Sequence, residues 1–319
     1  MPLLRFIPET TNVDFVKYRF VAFAIDGLLV LVSVISIAWH GFNLGIDFKG
    51  GVLMEVKSAQ AVDVGRMRSD IISLGFNDPL VQTFGGAGCD QPPGSCAMIR
   101  VQPRAATAGV NPDVAEQASV RAIRAKLGPS YQYRSTEVVG PRVSGELLHD
   151  GILATILAVA MISIYVAVRF EWQYGIGALI ATGHDVFVTA GFFSVLQLDF
   201  NINTVASLLL LAGYSINDTV VVFDRIRENR RKYKRMALRD MINLSTNQIA
   251  TRTTLVSAAT ALSVVPLLFG GPVLLNFSVA ILFGIVVGTF SSTYVAAALL
   301  LYLPAVGGKV DVKNEAATA

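Results

Sequence analysis

Six stretches of this chain are apolar enough, for long enough, to cross a lipid bilayer, and that limits the fold before anything else is read. A backbone in hydrocarbon must satisfy its own hydrogen bonds, so each stretch is a helix. They fall at 20–39, 150–168, 174–197, 202–223, 250–269 and 273–303. The chain is 53% hydrophobic and 15% charged, which excludes a water-soluble globular protein. The first stretch follows Lys17 and Arg19 and closes on Trp39 and His40, which suit a membrane interface. It is longer than a signal-peptide core and lacks a small-residue cleavage site, so it reads as a retained helix.

The pattern changes at 40–149, which contains both cysteines and most of the prolines and no stretch able to span. Val52–Val56 reads as a strand, and Val62–Leu74 as a helix with Val64, Met67, Ile71 and Leu74 on one face. Leu80–Phe84 and Ala97–Val101 read as strands around a Gly/Pro-rich loop. Pro112–Leu127 reads as a helix, with Pro112 at its start and Gly128 past its end, and Tyr131–Val139 as a last strand. That order, β-α-β-β-α-β, is ferredoxin-like. The fold class is a polytopic α-helical membrane protein of six transmembrane helices, with a ferredoxin-like α+β domain between helices one and two.

Charge orients the chain. The segment 225–249 holds Arg225, Arg227, Arg230, Arg231, Lys232 and further basic residues to Arg239. The entry segment 1–19 holds Arg5, Lys17 and Arg19, and the tail 304–319 holds Lys309 and Lys313, while the turns at 198–201 and 270–272 have no basic residue. Positive-inside logic places both termini and the basic loop in the cytoplasm and the inserted domain in the periplasm. The loop interleaves its charges with Ile226, Met236, Leu238 and Met241, which favours an amphipathic helix on the bilayer surface over a nucleic-acid site. A docking surface for a cytosolic partner is the rival reading. In an exported, oxidising compartment Cys89 and Cys96 form a disulfide candidate, the alternative being two free thiols.

Leaving aside tyrosines and Asp150 at the edge of the second span, five ionisable residues fall inside the spans: Asp26, His184, Asp185, Asp218 and Arg252. A carboxylate at a helix centre costs about 2.5–3.5 kcal/mol on insertion scales, so each marks a functional site or a buried pairing. Asp26 is read as structural, facing protein or a wet boundary. His184 and Asp185 are neighbours on one helix, about 100° apart, so they are not expected to share a small site. Asp218 and Arg252 lie at compatible depths on consecutive antiparallel helices and suit a proton switch, with Asn217 and Thr219 orienting the carboxylate. Gly175, Gly177, Gly284 and Gly288 suggest a close seam with a partner of similar architecture. Three histidines and two cysteines offer no zinc spacing and no Walker A sequence is present, so no metal, cofactor or catalytic residue is expected.

Gly45-Ile46-Asp47-Phe48-Lys49-Gly50-Gly51 resembles the G-x-D-F-x-G-G signature of the SecF protein-export membrane proteins, in the resistance-nodulation-division superfamily. Val139-Gly140-Pro141, Arg169-Phe170-Glu171-Trp172, His184-Asp185-Val186, the run Gly213–Thr219, Arg252-Thr253 and Ser291-Ser292 fit the same family. The resemblance spans nearly the whole chain. It implies the stand-alone form, without a preceding SecD half, in the bacterial inner membrane. The implied partners are SecD, the SecYEG channel, the SecA motor, exported preproteins and the lipid bilayer, with no nucleic acid. It also implies that proton-motive force drives late-stage export and that Asp218 and Arg252 are the proton-path residues. A small-molecule efflux half-transporter of the same superfamily, and a scaffold whose charges only hold helices together, are the competing readings.

Overall fold

The computed structural model describes residues 11–76, 79–85, 88–89, 92–102, 112–270 and 272–304. Arg5, Lys309 and Lys313 lie outside the described residues. Among the described residues, six helices are long and apolar enough to cross a membrane. The first, α1 (Arg19–Trp39), buries only Ala22, Asp26, Ser33 and Ser36. Phe20, Val21, Leu28, Leu31 and Ile35 are exposed. Its small and polar stripe faces the bundle and its apolar side faces outward, as suits a lipid-facing helix.

After α1 the chain makes a four-residue turn of helix, α2 (Ile46–Lys49), and enters the inserted domain. That domain runs β1 (Gly51–Ser58), α3 (Val64–Ser73), β2 (Leu80–Phe84), β3 (Cys96–Val101), α4 (Pro112–Leu127) and β4 (Tyr131–Val139). The sheet order is β2-β3-β1-β4 with every pair antiparallel, which is the ferredoxin-like arrangement. Strand alternation sorts the faces. Val52, Met54, Val56, Ile99 and Val101 pack against Met67, Ile71 and Ile123 of the two helices. Leu53 and Met98 point the other way, onto Ile46 of α2. Cys89 and Cys96 are joined in a disulfide, with their Cα atoms 5.4 Å apart.

The bundle continues with α5 (Pro141–Arg169), α6 (Trp172–Leu196), α7 (Ile202–Lys232), α8 (Leu238–Val264) and α9 (Pro272–Ser291). Three boundaries differ from those expected. Helix α5 starts at Pro141 instead of 150, because proline in the first turn needs no N–H partner and Leu147 and Leu148 pack on the bundle. The expected basic loop at 225–249 is almost wholly helical. α7 runs on to Lys232 and α8 begins at Leu238, leaving a short turn at 233–237. Nothing between 224 and 232 breaks a helix, and Arg230, Arg231 and Lys232 complement the negative helix end. The two extensions are zipped together by the Asn229 amide, which donates to Ser245 at 2.9 Å and Gln248 at 2.8 Å. There is accordingly no separate surface helix. The last span is not one α-helix either: a π-turn at Ser292–Ala296 separates α9 from α10 (Ala297–Leu299).

The small residues expected at a partner seam pack within this chain instead. A side chain at Gly175 would meet Ala167, at Gly177 Phe223, at Gly284 Leu211, and at Gly288 Asp185 and Ser215. The close approach these glycines permit is spent on internal helix pairs.

The motif at 45–51 joins the two halves of the molecule. Gly50 has φ +74° and Gly51 φ +131°, conformations that side chains rarely adopt. A Cβ on Gly51 would also overlap the Val101 carbonyl oxygen of β3. Gly51→Ala is therefore expected to destabilise the β1–β3 pairing by roughly 1–3 kcal/mol. Hydrogen-exchange mass spectrometry on the purified chain should read faster exchange in β1 and β3, with the bundle unchanged.

Candidate functional site

Two places in the molecule concentrate polar groups where they are costly. One is the middle of the bundle. Asp218 of α7 is 3% exposed, and its Oδ2 has no hydrogen-bond partner among the described residues. The hydroxyl of Ser257, on α8, interacts with this carboxylate. Ser257 also accepts from Tyr214 Oη at 2.8 Å and lies 2.8 Å from Thr289 Oγ1 on α9. Three helices thus meet through hydroxyls beside Asp218.

The Tyr214–Ser257 contact fixes the register of antiparallel α7 and α8. One turn further toward the basic end, Asp218 is level with Thr253, which is buried. Arg252 is therefore at the expected depth but about 100° round the helix, and it is exposed. No ion pair joins it to Asp218 among the described residues. The supporting residues do not orient the carboxylate as expected either. Asn217 is exposed, and Thr219 is fully buried with an unpartnered hydroxyl.

His184 and Asp185 are a second correction. They do share a site: His184 Nδ1 lies 3.0 Å from Asp185 Oδ1. The 100° step separates Cβ atoms, but both side chains are long enough to bend back toward one another. Ser215 Oγ of α7 donates to the other oxygen, Asp185 Oδ2, and Gly288 of α9 backs that oxygen at close range. On the far side of the imidazole, Nε2 lies 3.8 Å from Asp26 Oδ1 of α1. Asp185 is 0% exposed and Asp26 5%. Ser257 and the π-turn that begins at buried Ser292 were not anticipated as part of the site, whereas Tyr214 and Ser215 lie in the family run at 213–219 without a role having been given to them. A signal was available for Ser257: Ser245, Thr246, Thr253 and Ser257 are small polar residues at helical spacing in α8, and all are buried.

The second place is the cleft between the sheet and the bundle. Asp47 Oδ2 accepts from the Ile202 N–H at 2.9 Å, placing a carboxylate at the positive end of α7. Gly45 N donates to Phe200 O at 2.8 Å, and a Cβ on Gly45 would press on Asn201. Phe48 is buried beside Phe200, with ring centroids 6.0 Å apart. Arg100 of β3 pairs with Asp199 of the α6–α7 turn at 2.6 Å, and Asn43 donates to the same carboxylate at 3.0 Å. The motif residues at 45, 47 and 48 thus fasten the inserted domain to the membrane helices, while Gly50 and Gly51 shape the turn into β1.

These features define a class: a polytopic membrane protein with an inserted ferredoxin-like domain and carboxylates buried within the bundle. The comparisons give the family. A model described as protein export membrane protein SecD/SecF, C-terminal, matches residues 119–305, and the SecD/SecF GG motif matches residues 35–62. A protein translocase subunit SecF of Cereibacter sphaeroides is 43% identical over 303 residues, covering 94% of this chain and 92% of that protein. One from Rhodobacter capsulatus is 41% identical over 305 residues, covering 94% and 91%. The crystal structure of SecDF from Thermus thermophilus superposes with a TM-score of 0.78 at 32% identity. It covers 94% of this chain, which spans only 39% of that one. The chain belongs to the SecD/SecF family of protein-export membrane proteins.

Glu137 of β4 provides a test of the cleft. Its carboxyl is held above its ordinary value of 4.5, first by shielding from water and then by the negative charges of Asp47 and Glu55. A carboxyl with raised proton affinity in the folded state stabilises the fold at low pH and costs stability as pH rises through its folded value. Glu137→Gln should therefore slow hydrogen exchange in β1 and β4 at neutral pH. The difference should shrink as pH falls toward 4.5.

Proposed function

We propose that this chain works as a SecF-type subunit beside a SecD-type partner at a Sec channel. It uses proton-motive force to assist the late stage of protein export. The observation that carries this reading is the placement of three groups at one level of the bundle. Asp218 is buried with an unsatisfied oxygen, while Asn217 and Arg252 face outward from the chain. Amide and guanidinium groups facing hydrocarbon are costly, so a protein partner covers that face. A SecD-type chain fits, since the matched SecDF structures carry this fold as about two fifths of a longer chain.

In this reading Asp218 takes and releases the transported proton, and Arg252 tunes its charge when the partner or a helix rotation brings the two together. Moving one charge across the membrane is worth about 2.3 kcal/mol per 100 mV, comparable to the cost of burying the carboxylate. Both termini and the turn at 233–237 lie in the cytoplasm, the sheet domain lies in the periplasm, and the membrane is the bacterial inner membrane. SecYEG, SecA and the exported preprotein are the other members of the assembly. The fastening of the sheet domain at Asp47, Phe48 and Arg100 supports transmission from the bundle to that domain. An efflux half-transporter is disfavoured by the small insert, whose described residues form a single four-stranded sheet in place of the larger porter region expected of such a pump.

Two measurements test this. Asp218→Asn retains size and hydrogen bonding but cannot ionise. In inverted vesicles it should still co-purify with the SecD-type partner, yet lose the protonophore-sensitive part of preprotein export. Full retention of that part would leave Asp218 without a transport role and favour the scaffold reading. For sidedness, single cysteines at Gln60 and Arg235 should be labelled by an impermeant maleimide from opposite sides of spheroplasts and inverted vesicles. Both positions are exposed, and the native cysteines are paired with each other.

A further inference from the structure

Helices α1 and α6 run parallel and touch at a constant register. Ser36 Oγ lies 2.9 Å from Ser194 Oγ, and Gly191 has no room for a side chain because Ser33 fills the space. The same register places Asp26 opposite His184, whose Nε2 is 3.8 Å from its carboxylate. Seven residues separate Asp26 from Ser33 and His184 from Gly191, so one stripe on each helix builds the whole seam. The seam is close-packed and hydroxyl-bonded toward the Trp39 end and ionisable toward the other.

Asp26 is nine-tenths buried, and neither of its oxygens has a hydrogen-bond partner among the described residues. His184 Nε2 is likewise buried without one. Asp185 is the opposite case, since its two oxygens meet His184 Nδ1 and the Ser215 hydroxyl. The three side chains therefore have unequal needs. Asp185 is solvated by protein donors as a carboxylate. With a proton on His184 it forms an ion pair, and that leaves Asp26 as an extra negative charge with no donor of its own. A lone buried carboxylate of this kind is costly. A second proton, on Asp26, makes the group neutral.

The groups facing this site from the packed helices complete the count. From α7 they are Ser215 and, one turn beyond it, Asp218, which has no hydrogen bond to the triad among the described residues. From α9 Gly288 comes close to the Asp185 carboxylate, and α5 carries no titratable side chain between Asp150 and Tyr165. Among the described residues, no second cation pairs with Asp26.

We infer that Asp26, His184 and Asp185 form a proton-binding site at the α1–α6 seam, separate from Asp218, with Asp26 as the group that takes and gives up the proton. The step is a proton transfer alone. When Asp26 loses its proton it becomes a carboxylate facing a protonated imidazole across 3.8 Å, and the attraction draws α1 against α6. When Asp26 regains the proton the attraction goes and the pair relaxes. Ser215 and Asp185 anchor the imidazole to α7 throughout, so the state of Asp26 bears on the α1–α6 contact and leaves α6–α7 unaltered.

The test is infrared difference titration of the full chain, with carbon-13 in its aspartate carboxyls, in lipid nanodiscs. The expected result is a protonated-carboxyl band that titrates, persists in Asp218→Asn, and is lost in Asp26→Asn. Asp26→Glu should restore a titrating band at the glutamate frequency. His184→Gln, which removes the imidazole charge, should displace the midpoint about tenfold or more in proton concentration. A band that vanishes in Asp218→Asn, or is unchanged in both Asp26→Asn and His184→Gln, overturns the inference. Because proton binding is read directly, the outcome is separable from whether Asp218 supports export.

Discussion

Hydrocarbon offers no hydrogen bonds, and every polar choice in this bundle follows from that. A hydroxyl, amide or carboxyl buried between helices must find its partner in protein, either a carbonyl of its own helix or a small polar side chain of the next. Ser36 finds Ser194, Tyr214 finds Ser257, Ser257 finds Thr289 and Ser215 finds Asp185. Each bond crosses between two helices, so satisfying a polar group and positioning a helix are one event. Among the buried groups left without a partner in the described residues, Asp26 and one oxygen of Asp218 stand out because they are carboxylates, whose burial costs more than that of a lone hydroxyl.

The same constraint explains where the glycines sit. With lipid as apolar as leucine, helices gain little from burying large side chains against each other and more from close approach. Gly284 against Leu211 and Gly288 against Asp185 bring α9 onto α7 and α6. Gly288 also makes room for the buried carboxylate, so packing and the polar site share a residue. The π-turn that follows at Ser292 shifts the register of α9 just beyond this contact, and such turns recur at functional sites.

Much of the fold was legible because its signals are periodic. The strands at 80–84 and 131–139 and the helix at 112–127 lie where alternation, proline and glycine placed them. Boundaries set by tertiary contacts were not legible. The extensions of α7 and α8 depend on Asn229 meeting Ser245, a contact between positions read as loop. In the site, the cost of a carboxylate marked Asp218 and Asp185 as buried from sequence alone. The facing of Arg252 was not marked, because depth along a helix follows from counting residues whereas azimuth needs the neighbouring helix. His184 and Asp185 were separated by a rule about Cβ directions that does not hold for the tips of flexible side chains.

The inserted sheet is attached by two leads, and both enter at one corner. Gly51 opens β1, Val139 closes β4, and these two residues are paired across the strands, with only Gly140 between β4 and α5. A body held at one corner turns more readily than it slides. The strand rising from that corner spans eight residues, about 26 Å at ~3.3 Å each. A tilt of about 10° at the leads therefore displaces its far end by about 4–5 Å over that rise. Arg100, one strand over from the corner and level with Leu53, grips Asp199 and is the stay that opposes such a tilt. The molecule thus has the parts of a lever: a fulcrum of two glycines, an arm one strand long, and a releasable ionic tie.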